Sequence, residues 1–94
     1  MKVVFTSAAL SDLNDLLAHT STNYPGLVHA VELRIRAVIE RLERWPESAR
    51  RVEGRSGIRV VPIIRYPYKV FYRITGDGIE ILHIHHTSRD APSD

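Results

Sequence analysis

The spacing of apolar residues changes from a helical period to a strand period near residue 57, and this change most constrains the fold. Before it, apolar side chains recur at steps of three and four, which places them on one side of a helix. After it, apolar and polar side chains alternate, which is typical of strands with one face in a core. A chain of 94 residues suits one small domain, so we expect residues 1–94 to form a single domain with a helical layer and a β layer.

The first half of the chain predicts a short strand followed by two helices. Lys2–Phe5 is apolar and rich in β-branched residues, which favours an opening strand, and Thr6 or Ser7 can cap the first helix. A polar segment at residues 20–23 should end that helix, and the second should run from about Pro25 to Arg44. The apolar stripes are Leu10, Leu13, Leu16 and Leu17, then Val28, Val31, Ile35, Val38, Leu42 and Trp45.

The second half predicts a polar loop over residues 47–57 and then three strands, Arg59–Arg65, Tyr68–Ile74 and Ile79–His86. Pro62 has no backbone N–H to donate to a neighbouring strand, so the strand Arg59–Arg65 should lie at an edge of the sheet or contain a bulge. The last strand carries apolar residues on both faces, which indicates a central position beside the opening strand. The order β-α-α-β-β-β therefore predicts an α+β fold, in which a four-stranded antiparallel sheet packs against an α-helical hairpin.

Composition excludes several classes of function. The chain has no cysteine, which excludes zinc fingers, iron–sulfur clusters, thiol nucleophiles and disulfides, and favours the cytoplasm. It has no Gly-rich phosphate loop and no dinucleotide fingerprint, so we expect no cofactor. No apolar run suits a signal peptide or the ~20 residues of a membrane span, so we expect no membrane partner.

Positive charge is concentrated in residues 48–75. This segment carries seven basic residues against the single acidic residue Glu53, which gives a local charge of +6. Such a segment attracts anions, either nucleic acid or an acidic protein segment, and the alternative is a solvated strand face. The basic residues are Arg50, Arg51, Arg55, Arg59, Arg65, Lys69 and Arg73.

Three histidines lie in the last predicted strand. His83 and His85 share a face, ~7 Å apart along the backbone. Two such imidazoles can bind a metal ion only with a third ligand, and no carboxylate occupies a matching position, so we predict no metal site. A histidine here could instead transfer protons in RNA cleavage, or simply be a hydrogen-bonded residue at a sheet end.

Aromatic residues interleave with basic residues in the preceding strand. Tyr68 and Tyr72 share a face with apolar residues, which predicts that they belong to the core with their hydroxyls at its rim. Phe71 shares the other face with Lys69 and Arg73, an arrangement found in surfaces that bind nucleic acid.

Two segments resemble a known family. Arg65–Ile74 resembles the Tyr-Arg/Lys-x-x-Tyr strand of the RelE/ParE superfamily, and Ile81–Asp90 resembles its closing strand, which ends in His-x-x-Arg-Asp. These proteins are toxins of type II toxin–antitoxin systems. The resemblance implies the β-α-α-β-β-β fold and a toxin that a cognate antitoxin holds inactive in a hetero-oligomer.

The superfamily has two branches with different targets. ParE-type toxins poison DNA gyrase without catalysis of their own and are neutralised by ParD-like antitoxins, for which we expect an acidic tail. RelE-type toxins are ribosome-dependent mRNA endonucleases, and their members often carry a C-terminal tyrosine or histidine. This chain has no tyrosine after Tyr72, and its Arg-Asp ending is more similar to ParE. We therefore expect a ParE-like gyrase poison, with the RelE-type endonuclease and a simple nucleic-acid-binding module as alternatives.

The candidate site residues follow from charge and from this resemblance. In an endonuclease, the resemblance implies that Lys69 and Arg73 stabilise the phosphate and that His85 or His86 moves protons. The candidates for target binding are Arg65, Lys69, Phe71, Arg73 and Arg89. The candidates for antitoxin binding are Arg50, Arg51, Arg55, Arg59 and Arg65.

Overall fold

A computed structural model describes residues 1–88 of the chain, and its elements confirm the predicted α+β class. The sheet has the order β1-β5-β4-β3-β2, with the two helices packed on one face. Within residues 1–88, no helix has the length and apolar character that crossing a membrane requires. The elements are β1 Lys2–Phe5, α1 Ser7–Asn23, a 3-10 turn Pro25–Leu27, α2 Val28–Arg44, β2 Arg50–Arg51, β3 Ile58–Ile63, β4 Tyr68–Ile74 and β5 Gly78–His86.

The sheet differs from the prediction in strand number and in the direction of one strand. The predicted loop at 47–57 contains the two-residue strand β2, which pairs with β3, so the sheet has five strands rather than four. β1 pairs in parallel with β5, whereas the other neighbours are antiparallel, so the sheet is mixed. The parallel pairing arises because the helical hairpin carries the chain over one face of the sheet before the β-meander begins.

The central position of β5 is confirmed, because β1 and β4 flank it. Gly78 allows β1 to lie beside it, since a Cβ at this position would collide with the Lys2 carbonyl oxygen. Pro62 lies beyond the end of β2, where β3 has only β4 as a neighbour, so the predicted edge position is confirmed locally.

The first helix continues through residues 20–23, where the sequence predicted a break. Thr20 is buried and its hydroxyl donates to the Leu16 carbonyl oxygen at 2.8 Å. The Asn23 side-chain amide donates to the His19 carbonyl oxygen at 3.0 Å. These polar side chains bond along the helix, so they do not compete with its backbone hydrogen bonds.

The hydrophobic core lies between the helices and one face of the sheet, here called the covered face. The second-helix stripe is confirmed for Val31, Ile35, Val38 and Leu42, which are all buried. Val28 is only half-buried. Trp45 is exposed, because α2 ends at Arg44 and the indole turns outward, where the Arg44 guanidinium carbon lies 5.0 Å from the centroid of the indole ring. The sheet contributes Val61, Ile63, Val70, Tyr72, Ile79, Ile81 and Ile84.

Candidate functional site

The sheet face opposite the helices, here called the outer face, carries most of the side chains that the sequence analysis named as candidate catalytic groups. Lys69 pairs across the strands with His85, and Phe71 pairs with His83. Side chains that pair directly across neighbouring strands share a face. The outer face therefore brings together two of the three clustered histidines, one lysine and one buried phenylalanine.

A β-bulge in β5 puts the two histidines on this face. Tyr72 pairs with Ile81 and Phe71 pairs with His83, so Leu82 is an extra residue between them. Without the bulge, strict alternation from Ile81 would turn His83 and His85 into the core. The sequence signal for this bulge is a change in the spacing of the buried isoleucines. Ile79 and Ile81 are two residues apart, but Ile84 lies three residues after Ile81.

Asp12 of α1 lies against the same histidines. β1 ends at Phe5, so β5 beyond Ile81 lacks a strand neighbour on that side. The side chain of Thr6 accepts from Ala9 N–H at 3.1 Å and donates to the Leu82 carbonyl oxygen at 3.1 Å, which fixes the start of α1 at this edge. Asp12 Oδ2 then accepts the Ile84 N–H at 2.9 Å and lies 3.3 Å from His83 Nδ1.

The expectation that no carboxylate accompanies the histidines was wrong. Asp12 lies 71 residues before His83 in the chain, and only the packing of α1 against β5 brings them together. One ligand atom each from Asp12, His83 and His85 lies within 4.8 Å of the other two. Asp12 falls outside the apolar stripe of α1, and the helical period alone does not show what that side of the helix contacts.

His85 and His86 lie on opposite faces of β5. His85 is 6% exposed, and its ring packs 5.5 Å from the Phe71 ring and 4.9 Å from the His83 ring. His86 is exposed at the end of the strand, where its ring lies 5.7 Å from Tyr68 and its Nδ1 lies 2.9 Å from Ser88 Oγ. The two histidines proposed for proton transfer are therefore not interchangeable.

The basic side chains of β4 have different surroundings. Lys69 Nζ lies over the Phe71 ring, 5.6 Å from its centroid, where a cation interacts favourably with the ring. Arg73 binds Glu80, with both Nε and Nη2 at 2.7 Å from Oε1. Phe71 itself is 2% exposed, so a partner would reach it only after neighbouring side chains move.

The five arginines proposed for antitoxin binding fall into two groups. Arg59 pairs with the core residue Tyr72, and its guanidinium donates to the carbonyl oxygens of Ala49 at 2.8 Å and Glu47 at 3.2 Å, so it holds the fold together. The other four lie on the edge strand β2 or in turns, and Arg65 adopts a positive φ of 76° in the turn after β3. These four are Arg50, Arg51, Arg55 and Arg65.

A cleft lies between α2 and β3 at the edge of the sheet that β2 leaves uncovered. Its volume is about 120 Å³. Arg34 and Arg41 contribute positive charge, and Ile64, at 58% exposure, contributes an apolar surface. The remaining lining residues are Ala37, Val38, Val61 and Pro62.

Comparison with known proteins decides the family. A sequence model described as the ParE toxin of the type II toxin–antitoxin system parDE matches residues 3–91. The chain belongs to the ParE toxin family. It is a toxin of the type II toxin–antitoxin class, and the predicted ParE branch of the RelE/ParE superfamily is confirmed. No curated protein matches the chain.

Solved structures share the fold of this ParE-family toxin. The chromosomal ParDE system from P. aeruginosa contains a chain 24% identical with a TM-score of 0.79, covering 92% of this chain and 95% of the other. A YoeB/ParE toxin from Agrobacterium tumefaciens is 19% identical with a TM-score of 0.64, covering 92% and 98%. The RelB-RelE antitoxin–toxin complex from Methanococcus jannaschii matches at 17% identity and a TM-score of 0.60, covering 90% and 91%.

The candidate catalytic residues of this ParE-family toxin do not form one cluster in the described part of the chain. Lys69 and His85 are cross-strand neighbours on the outer face. Arg73 lies further along β4, where it pairs across the strands with Glu80 and binds its carboxylate. His86 lies on the other face. Arg89, the candidate taken from the family's closing motif, lies outside the described residues.

Proposed function

We propose that this ParE-family toxin arrests growth by binding DNA gyrase, and that a ParD-like antitoxin neutralises it. Family membership over residues 3–91 is the observation that carries the proposal. A gyrase poison needs a binding surface and no proton-transfer group of its own. Binding energy in such surfaces comes mainly from a few aromatic and arginine side chains.

The outer face supports binding rather than catalysis. A catalytic histidine must come within hydrogen-bond reach of the proton that it moves, and His85 is enclosed beside Phe71. His86 is accessible but lies on the face away from Lys69. An RNA phosphate bound by Lys69 would therefore not be adjacent to the accessible histidine.

One observation favours the alternative, a ribosome-dependent mRNA endonuclease. Lys69 and His85 are direct cross-strand neighbours, and His83 lies on the same face. A lysine that stabilises a phosphate beside a histidine that moves a proton is a plausible ribonuclease arrangement. Use of this pair would require the region around Phe71 to open.

The antitoxin proposal rests on the uncovered edge of β3 and the cleft beside it. An extended segment can add to an open sheet edge through backbone hydrogen bonds, with side chains in neighbouring pockets. The cleft offers Arg34 and Arg41 to acidic side chains and Ile64 to an apolar one. Arg50, Arg51 and Arg65 are exposed and Arg55 is half-buried, and these four arginines of β2 and the turns add further positive charge. An acidic antitoxin tail that folds on binding suits this edge.

The first experiment separates the two toxin mechanisms through the histidines. We expect the double variant His85→Gln and His86→Gln to arrest growth as wild type does, because a binding poison needs neither group. In an endonuclease, loss of a proton-transfer group typically costs 10²–10⁴-fold in rate. Circular dichroism checks that the variant folds. A folded double variant without toxicity would favour the endonuclease.

The second experiment tests the antitoxin surface through association kinetics. Arg51→Glu changes the charge of the edge strand β2, whereas Arg36→Glu makes the same change on the exposed side of α2. We expect Arg51→Glu to slow antitoxin association at low salt and to weaken its salt dependence, because charges outside the interface centre act mainly on the encounter rate. The Arg36 variant should associate nearly as fast as wild type, and equal rates for both variants would contradict the proposed surface.

A further inference from the structure

Asp12, His83 and His85 form a cluster that neither the gyrase nor the antitoxin proposal uses. The two histidines come from adjacent outward positions of β5, and the carboxylate comes from α1, across the uncovered edge of that strand. Asp12 and His83 are half-buried and His85 is buried, so the cluster is part of the fold and not a loose group of surface side chains. Two imidazoles and one carboxylate make a ligand set typical of zinc and related divalent transition metals.

We infer that Asp12, His83 and His85 form a binding site for a divalent transition-metal ion, with Zn²⁺ as its natural probe. The inference does not depend on the cellular target, because it concerns only what these three side chains bind.

The distances suit a tetrahedral ion. Two ligand atoms that each lie about 2.0–2.1 Å from a tetrahedral zinc ion are about 3.3–3.4 Å from each other. His83 Nδ1 and Asp12 Oδ2 are 3.3 Å apart. All three ligand atoms lie within 4.8 Å of one another, so shifts of at most about 1.5 Å, within the range of side-chain rotation, would complete the set.

The surroundings hold these ligands in position. The Ile84 N–H donates to Asp12 Oδ2 at 2.9 Å, which orients the carboxylate toward the imidazoles. Hydrogen bonds of this kind to a ligating group are common in protein metal sites and fix its geometry. The Phe71 ring packs against His85 and limits the positions that this imidazole can take.

The nearby positive charges are directed elsewhere. Lys69, the cross-strand partner of His85, places its ammonium over the Phe71 ring. Arg73 is neutralised by Glu80 at 2.7 Å. A bound cation therefore faces one carboxylate at contact distance, while Lys69 and Arg73 already have interactions of their own.

Three protein ligands leave one coordination position for water. His83 also lines a pocket of about 450 Å³ together with Thr6, Ser56 and Arg73, so solvent reaches this ligand. Because the ligands come from α1 and β5, the ion would also tie the first helix to the centre of the sheet. Binding to the folded state alone raises stability.

The test is a titration of the untagged full-length chain with Zn²⁺, followed by calorimetry. We expect one ion per chain, no binding of Mg²⁺, and a rise in the unfolding midpoint of roughly 10–20 °C when zinc is about a hundredfold above its dissociation constant. Asp12→Asn keeps an oxygen for the Ile84 N–H but loses the charge. Asp12→Asn and His83→Gln should each weaken binding by about tenfold or more.

His86→Gln is the matched control, because it removes the neighbouring imidazole from the opposite face. It should bind zinc as wild type does. Substitution of Co²⁺ in the unaltered chain gives a second readout, since a tetrahedral site with nitrogen and oxygen ligands absorbs visible light much more strongly, and at longer wavelength, than the octahedral aquo ion does. Absence of zinc binding, or absence of the tetrahedral absorption, in the unaltered chain would overturn the inference, and so would equal losses of zinc affinity in folded His83 and His86 variants. The two measurements on the unaltered chain decide the question if a variant fails to fold.

Discussion

The two faces of the sheet are built in different ways. The covered face is almost entirely aliphatic and is sealed by two helices, so its side chains are buried by a second layer. The outer face has no such layer among the described residues, and Phe71 is buried there by its neighbours in the sheet, with His85 packed on its ring and Lys69 over it. The comparison indicates that the covered face stabilises the fold, while the outer face holds the side chains that can bind or react.

The largest expected effect is on the covered face. Ile81→Ala removes a fully buried side chain from the central strand, opposite Tyr72. Two packed layers cannot collapse completely into the space, so we expect a loss of about 2–5 kcal/mol in the free energy of unfolding. Urea denaturation measures this loss. The control Ile81→Val should cost only about 0.5–1.5 kcal/mol.

A smaller effect is expected from the buried residue of the outer face. Phe71→Ala should cost about 2–3 kcal/mol, less than the roughly 3–5 kcal/mol usual for buried phenylalanine, because Lys69 can move and water can enter. The same denaturation measurement applies. A loss clearly above about 3 kcal/mol, in the range usual for a phenylalanine sealed between two layers, would contradict this difference, because it would mean that the outer face is packed as tightly as the core.

Tyr72 gives the smallest of these effects and a pH dependence. Its hydroxyl donates to the Pro46 carbonyl oxygen at 2.6 Å, so Tyr72→Phe should cost about 0.5–1.5 kcal/mol. Burial raises the pKa of Tyr72 above its usual 10.0, although the charge of Arg59 opposes the rise. The folded state therefore favours the protonated phenol, and this contribution to stability is complete below pH 10 and is lost as pH rises through the folded-state pKa.

Denaturation from pH 8 to pH 11 measures this dependence. Wild type should lose stability more steeply above pH 10 than Tyr72→Phe does, because the phenylalanine variant has no phenol to ionise at this position. Parallel curves for the two proteins would show that the buried phenol is not responsible for the alkaline loss.

Local patterns predicted most of the covered face, although Leu10 of the first predicted stripe is 48% exposed. Steps of three and four residues identified Val31, Ile35 and Val38, and alternation identified Val70 and Tyr72, because both patterns depend only on neighbours in the chain. The shared face of His83 and His85 was also predicted, since it depends only on their separation of two residues.

The outer face could be predicted only in part. Asp12 joins the histidines through a contact between residues 71 apart, and no local period carries that information. The bulge at Leu82 depends on pairing with β4, and the short strand β2 depends on pairing with β3. The first helix ends at Asn23, the last of the polar residues 20–23, and the sequence alone did not show that Thr20 bonds inside the helix, because this depends on its burial.

Gyrase is the target that we propose for this ParE-family toxin. The most direct measurement adds the purified chain either to gyrase with plasmid DNA or to ribosomes translating an mRNA. We expect that supercoiling stops and that cleaved DNA accumulates in complex with gyrase, while the mRNA stays intact. Unimpaired supercoiling together with cleavage of the ribosome-bound mRNA would contradict the claim and identify the chain as an endonuclease.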